Sequence, residues 1–186
     1  MSLLALSSFL LLCPTHHSRP LALQSPQRPA SVYNVSLLVL GRVVDDAEPA
    51  DEQVGWGLEF DAYDPRNIFG FEIGVSRTSD ETSVSGADFE ATVEEIYLGA
   101  RKTWGAPGQL HPFVSAGLSF VEAEAELSGA GSDDDSSFGL YGRGGPYWTF
   151  VEHFNLGADL KAPVGTDIEF GDANYIQVGL ILAYSI

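Results

Sequence analysis

The chain is 186 residues long, about one domain, and sets 26 Asp and Glu against 9 Lys and Arg for a formal charge of −17. With 45% hydrophobic and 11% aromatic residues it is too apolar for a disordered acidic chain, and it offers nucleic-acid phosphates no basic face. It contains no run of about 18 apolar residues, the length an α-helical membrane span needs.

The first segment differs from the rest. Leu3 to Cys13 is an apolar run interrupted only by Ser7 and Ser8, the length of a signal-peptide core. Pro14, Pro20, Pro26 and Pro29 follow, which excludes a helix or a central strand. Residues 1–30 are therefore expected to be an export leader and residues 31–186 the exported domain. No carboxylate precedes Asp45, and the lone cysteine, Cys13, falls in the leader. An exported domain without cysteine needs no disulfide.

The remainder reads as strands. Residues 33–44 are apolar on both parities, with Asn34, Ser36 and Arg42 marking one face. Gly55 to Ala62 alternates strictly between apolar and non-apolar, the period of a half-buried strand. Phe69, Phe71, Ile73 and Val75 repeat the pattern, then Ile96, Leu98 and Ala100 against Tyr97, Gly99 and Arg101. Residues 112–126 place Val114, Ala116, Leu118 and Phe120 on one side. Residues 136–150 run into Gly144-Gly145-Pro146, where a bulge or kink is expected because proline donates no ladder bond. Phe154, Leu156, Ala158 and Leu160 oppose Asn155, Gly157, Asp159 and Lys161. The eighth segment sets Ile176, Val178, Leu180, Leu182 and Tyr184 against Tyr175, Gln177 and Gly179.

Connections alternate in length. Those at 64–67, 105–111 and 151–153 are short, while 45–52, 79–91, 127–136 and 163–173 are longer and acidic. Such alternation describes an all-β, eight-stranded antiparallel up-and-down barrel, and a transmembrane β-barrel carries short turns at one rim and long loops at the other.

Glycine decides which face is inside. Gly57, Gly74, Gly99, Gly117, Gly157 and Gly179 share the non-apolar parity. On the wet outside of a soluble barrel they would weaken the strands for nothing, whereas a narrow lumen needs small residues beside Tyr97, Tyr141, Arg101 and Arg143. The apolar parity is therefore expected to face lipid. Aromatics gather toward both rims: Tyr63, Phe69, Trp104, Phe113, Trp148, Phe150, Phe154 and Tyr184 at the short turns, and Trp56, Phe120, Phe138 and Tyr175 at the long connections.

The segments Glu95-Ile96-Tyr97-Leu98-Gly99-Ala100-Arg101 and His111-Pro112-Phe113-Val114-Ser115-Ala116-Gly117-Leu118, with the ending Gly179 to Ile186, carry a resemblance. Over about residues 31–186 the chain resembles the small eight-stranded outer-membrane barrels of the OmpA, OmpX and opacity-protein kind. The resemblance implies an outer-membrane location in a Gram-negative-type cell, assembly through periplasmic chaperones and the barrel-assembly machinery, and contact with outer-membrane lipids including lipopolysaccharide. It departs at the last residue, Ile186, where such barrels commonly carry Phe or Trp.

On the inward parity lie Glu59, Asp61, Glu72, Arg101, Arg143, Asp159 and Lys161, with Arg42 farther toward the long connections. Charges of both signs in such a lumen must be paired or hydrated, so a polar network that plugs the barrel is expected. The long connections hold Asp45, Asp46, Glu48, Asp51 and Glu52; Asp80, Glu81, Asp88 and Glu90; Asp133, Asp134 and Asp135; and Asp167, Glu169 and Asp172. Clustered carboxylates attract divalent cations, but the spacing of a calcium loop is absent, so solvated acidic loops are expected. Arg77, outward near that rim, suits a snorkelling side chain or a lipid phosphate.

No cofactor is implied, and no catalytic constellation is found. His16 and His17 lie in the leader, and His111 and His153 both sit at the short-turn rim without paired metal-ligand spacing. The expectation is a monomeric, non-enzymatic barrel with a structural or surface-interaction role. A narrow ion or small-solute pore and a soluble, lipocalin-like ligand-binding barrel are the alternatives.

Overall fold

In the computed structural model the described residues are 31–44, 52–64, 66–84, 87–105, 110–128, 131–165, 167–168, 171–172 and 175–186. The expected leader and the acidic positions Asp45, Asp46, Glu48, Asp51 and Glu169 lie outside them.

The strands are β1 (Val32–Val44), β2 (Glu52–Tyr63), β3 (Gly70–Val84), β4 (Ala87–Thr103), β5 (Leu110–Leu127), β6 (Gly131–Val151), β7 (Phe154–Val164), β8 (Asp167–Ile168), β9 (Gly171–Asp172) and β10 (Tyr175–Ser185). Eight of them form one closed barrel, in which β1 to β7 follow chain order and β10 lies between β7 and β1. The closing pair runs antiparallel from Asn34↔Ser185 to Val44↔Tyr175. β8 and β9 form a separate small hairpin within the 163–173 connection.

Alternation sets the two faces. On β1, Asn34, Ser36, Leu38, Leu40 and Arg42 are buried, while Val35, Leu37 and Val39 are exposed. Exposed apolar side chains continue round the barrel, with Leu98, Leu118, Leu140, Leu156 and Leu180 each more than half exposed. Such an apolar exterior around a charged interior is the arrangement a bilayer stabilises and water does not. Trp104, Trp148, Phe154 and Tyr184 ring the short-turn end, and Trp56 and Phe138 stand at the other.

Three expectations are corrected. Phe113 and Tyr175, counted above with the rim aromatics, point into the lumen and are almost fully buried. Each lies under a guanidinium, Arg101 at 4.0 Å from the Phe113 ring centre and Arg42 at 4.0 Å from that of Tyr175. A buried cation gains from an aromatic face, which draws these rings inward.

The connections at 79–91 and 127–136 are largely strand. β3 and β4 pair as far as Val84↔Ala87, and β5 and β6 as far as Leu127↔Gly131. β2 stops pairing with β3 at Val54↔Ser79, and β7 stops pairing with β6 at Leu140↔Val164. β3 to β6 thus rise beyond the rim as a four-stranded wall. Carboxylates are as well hydrated on an extended strand as on a loop, and Glu122, Glu124 and Glu126 alternate with Ala123 and Ala125 at the strand period.

No register shift falls at Gly144-Gly145-Pro146. The register of β6 against β7 is the same on both sides of Gly145 and Pro146, and the shift lies between Thr149 and Val151 beside the short turn. Pro146 faces Pro112 across the β5–β6 pair. The Pro112 carbonyl accepts from Trp104 N–H at 3.0 Å, so its polar edge points toward β4. In an antiparallel pair such residues direct N and C=O away from each other, so the two missing donors are not missed between β5 and β6.

Candidate functional site

Neighbouring strands are offset in a closed barrel, so a line of directly opposed residues winds along it. One such line joins Arg101 on β4, Ser115 on β5, Arg143 on β6, Lys161 on β7, Gln177 on β10 and Arg42 on β1. Among the described residues every buried lumen cation sits on this one ribbon. Among the described residues the lumen buries four cations (Arg42, Arg101, Arg143, Lys161) and five carboxylates (Glu59, Asp61, Glu72, Glu95, Asp159).

All seven expected network residues are brought together. Arg101 Nη1 donates to Glu59 Oε1 at 2.8 Å and to Asp61 Oδ2 at 3.2 Å, and stands 3.6 Å from Glu72 Oε2. Arg143 bonds Glu59 through Nη1 and Asp159 through Nε. Lys161 Nζ donates to Glu95 Oε1 at 2.7 Å and lies 3.5 Å from the Tyr97 ring centre. Arg42 Nη2 reaches Glu95 Oε2 at 3.2 Å and Gln177 Oε1 at 2.8 Å. Removing one partner of such a buried pair strands the other's charge, typically at a cost of about 3–5 kcal/mol.

Glycines make room for these reaches. In the line Glu59, Gly74, Tyr97, the tyrosine lies across the glycine and donates to Glu59 Oε2 at 2.7 Å. In the line Glu72, Gly99, Gly117, Tyr141, the two end residues meet over two glycines, with Tyr141 donating to Glu72 Oε1 at 2.7 Å. A Cβ on Gly74 would fall within the Tyr97 ring, and one on Gly99 would meet the Tyr141 hydroxyl.

Glu95 was missed by sequence reasoning. It accepts from Lys161, Arg42, Ser76 and Ser119 and anchors the half of the network nearer the long connections. Its signal was available: carrying the alternation of Arg101, Gly99 and Tyr97 one step further places Glu95 inward. A second missed group closes the seam at the short-turn rim. Thr149 donates to Asn155, Asn155 to Ser185, Ser185 to Asn34, and Asn34 Nδ2 to Asp61 Oδ1 at 2.8 Å. At the other rim, Val93, Val121 and Tyr175, with Val44 and Ala123 packed against them, form an apolar layer above the charges.

The outer face of the wall is acidic. Glu81, Glu90 and Glu126 are directly opposed on β3, β4 and β5, as are Glu94 and Glu122, and Glu124 and Asp134. Just below lies the Phe120–Phe138 pair, ring centres 4.7 Å apart. Arg77 Nη1 is 3.0 Å from Glu94 Oε1, both half exposed. No group of three or more metal-ligating side chains converges among the described residues. His111 is buried against Tyr147, and His153 Nδ1 lies 3.0 Å from the Ser185 carbonyl. In the short turn between β2 and β3, the Arg66 side chain and backbone N–H hold the Asp64 carboxyl down to about 2.

A family model described as "Outer membrane protein beta-barrel domain" matches residues 29–185. The chain belongs to this outer-membrane barrel family. Membership places it in the outer membrane, as a closed eight-stranded barrel whose apolar exterior meets lipid. No curated protein matches the sequence. Three solved outer-membrane barrels share its fold. Neisserial surface protein A (NspA) is 15% identical with a TM-score of 0.60, covering 83% of this chain and 96% of its own. Ail, the attachment invasion locus protein of Yersinia pestis, solved with the heparin analogue sucrose octasulfate, is 14% identical with a TM-score of 0.59, covering 84% and 97%. OprG from Pseudomonas aeruginosa is 13% identical with a TM-score of 0.58, covering 86% and 97%.

Proposed function

We propose that this family member is an ion-tight barrel whose role is structural or surface-interactive, with the β3–β6 wall and the acidic connections on the outer side. The observation that carries this reading is the lumen. Arg143 on β6 bonds Glu59 on β2, on the opposite side of the barrel, and Arg101 on β4 reaches Glu59 and Asp61 past β3, so ion pairs cross the bore. An eight-stranded barrel leaves only the space its own side chains fill.

The wall is the element available to partners. Its opposed carboxylates disfavour direct contact with a polyanion, in contrast to Ail, whose structure holds sucrose octasulfate. Outer-membrane lipids including lipopolysaccharide are the neighbours this reading assigns, with divalent cations as mobile counterions between lipid phosphates and the wall. Chaperones and the assembly machinery act before the barrel closes, and the folded unit is a monomer. An enzymatic role is not supported: His111 is buried by stacking and His153 meets a backbone carbonyl.

Planar-bilayer recording tests the reading. The purified barrel is expected to give no conductance above baseline. Steady openings that change in Arg101→Ala or Arg143→Ala would replace it with the narrow-pore alternative.

A further inference from the structure

Beyond the rim the two faces of the β3–β6 wall differ. On the inward parity, directly opposed residues run Thr78–Val93–Ala123–Asp135 and, one step higher, Asp80–Ala91–Ala125–Asp133, with Thr82 facing Phe89 above them. The central strands β4 and β5 thus carry an apolar stripe, bordered by Asp80 on β3 and by Asp133 and Asp135 on β6. On the same strands the outward parity is acidic, with Glu90, Glu122, Glu124 and Glu126. Phe89, Ala91, Ala123 and Ala125 are partly exposed. A sheet with one apolar face ordinarily buries that face against another element.

Shape and charge select what fits there. The wall continues four of the eight barrel strands, so it curves round about half of the bore and holds the stripe on its concave side. Val93, Val121 and Tyr175 close the foot of this trough. Asp80 and Asp133 stand three strand spacings apart, about 14 Å along the sheet. An α-helix with its side chains is about 10–12 Å across, and the small alanines let it approach closely. The chain's own long connections, 45–51 and 163–174, have acidic residues as their only charged ones, which the borders repel. β8 and β9, in the second of them, pair with each other and not with the wall. A second copy would bring the same acidic wall and a formal charge of −17.

We propose that the inner trough of the wall docks a cationic amphipathic helix. This deepens the surface-interaction reading and rests on it in taking the wall as the partner-facing element. The apolar face of the helix covers Ala91, Ala123 and Ala125, and Lys or Arg along its two margins meets Asp80 on one side and Asp133 on the other. Matched charge on both borders fixes the helix along the stripe and steers its approach. Binding weakens as salt rises but does not vanish, because screening acts on the borders and not on the apolar contact.

The test places the full chain in phosphatidylcholine nanodiscs and titrates it against a fluorescein-labelled Leu/Lys peptide whose leucines recur at helical spacing. Anisotropy should show saturable binding that empty nanodiscs lack, and a scrambled peptide of the same composition should bind severalfold more weakly. Asp80→Asn combined with Asp133→Asn should weaken binding severalfold, and Ala125→Gln should weaken it with no change of charge. Glu90→Gln combined with Glu126→Gln removes the same charge from the outward face and should leave binding unchanged. All these positions are exposed or partly exposed, so each variant should keep the heat-dependent gel shift of a folded barrel. Equal losses in the two double variants, or equal binding of the scrambled peptide, would reduce the effect to diffuse charge attraction and overturn the trough. No saturable binding by a barrel that is silent in planar bilayers would overturn it and leave the ion-tight reading standing. Salt conductance would show that the foot of the trough is open, and would overturn both.

Discussion

Arg143 and Lys161 stand directly opposite each other on β6 and β7, two cations as nearest cross-strand neighbours in the lumen. They coexist because they turn to different carboxylates, Arg143 to Glu59 and Asp159 and Lys161 to Glu95. Like charges so placed would otherwise be destabilising.

That division of partners makes Glu95 worth more than Lys161. Lys161→Met keeps an apolar stem on the Tyr97 ring and leaves Glu95 bonded to Arg42, Ser76 and Ser119, so the loss should fall at or below the lower end of about 3–5 kcal/mol. Glu95→Gln strands both Arg42 and Lys161 and should cost more. The double variant should lose less than the sum of the two, because removing both partners leaves fewer unpaired charges. Urea titration of the folded band on unheated gels measures all three.

Glycine substitutions should sort by face. Gly74→Ala drives a methyl into the Tyr97 ring and disturbs its bond to Glu59, an overpacking cost of roughly 1–3 kcal/mol. Gly142→Ala places its methyl on the lipid side, where nothing lies within 4 Å, and should be neutral or slightly stabilising. Equal losses at the two positions would contradict the assigned faces.

Glu90 stands between Glu81 and Glu126 on the wall. Glu90→Gln removes two like-charge neighbours and should raise stability by about 0.2–1 kcal/mol per pair relieved. The gain should shrink as NaCl rises, since exposed charges are screened. Thermal midpoints at low and high salt would show it.

The Asp64 carboxyl titrates lower in the folded protein, at about 2, than its ordinary value of 3.8. The folded form therefore binds its proton less readily, and the Asp64–Arg66 contact favours folding above pH 3.8. That contribution fades as the pH falls toward 2. Asp64→Asn should match the wild type in the acid limit and fall slightly below it at neutral pH, measured as heat-shift midpoints across the range.

Lipids brominated near the headgroup should quench Trp56, Trp104 and Trp148, whereas lipids brominated at mid-chain should not. Trp104 and Trp148 stand at the short-turn rim and Trp56 at the opposite one, all about half exposed on the lipid side. Single-tryptophan variants separate the two rims. Mid-chain quenching of Trp56 would move the bilayer relative to the wall.

Local alternation was enough to read the barrel. Gly55 to Ala62 and Phe69 to Val75 show which parity meets lipid, because side chains switch face at every residue whatever the strand pairs with. The same rule put eight charged residues in the lumen, Arg42 among them, and Glu95, which opens the fourth segment on the parity of Tyr97 and Arg101, belongs with them by the same count. Alternation carries the fifth segment through Glu122, Glu124 and Glu126, but at 79–91 and 127–136 charge without apolar alternation reads as loop, so the full height of the wall is not legible.

What a residue meets across the bore depends on the offset between strands, and no local pattern carries that quantity. Tyr97 could be assigned inward from its neighbours alone. That it lies over Gly74 to reach Glu59 follows only when β2, β3 and β4 are locked in register. Alternation likewise sets Phe113 and Tyr175 opposite the lipid-facing parity, but that they lie under Arg101 and Arg42 follows only from closure. The period-two pattern of the chain decides inside from outside, residue by residue. Closure of the barrel decides which carboxylate neutralises which cation, because only closure sets distances between strands remote in sequence.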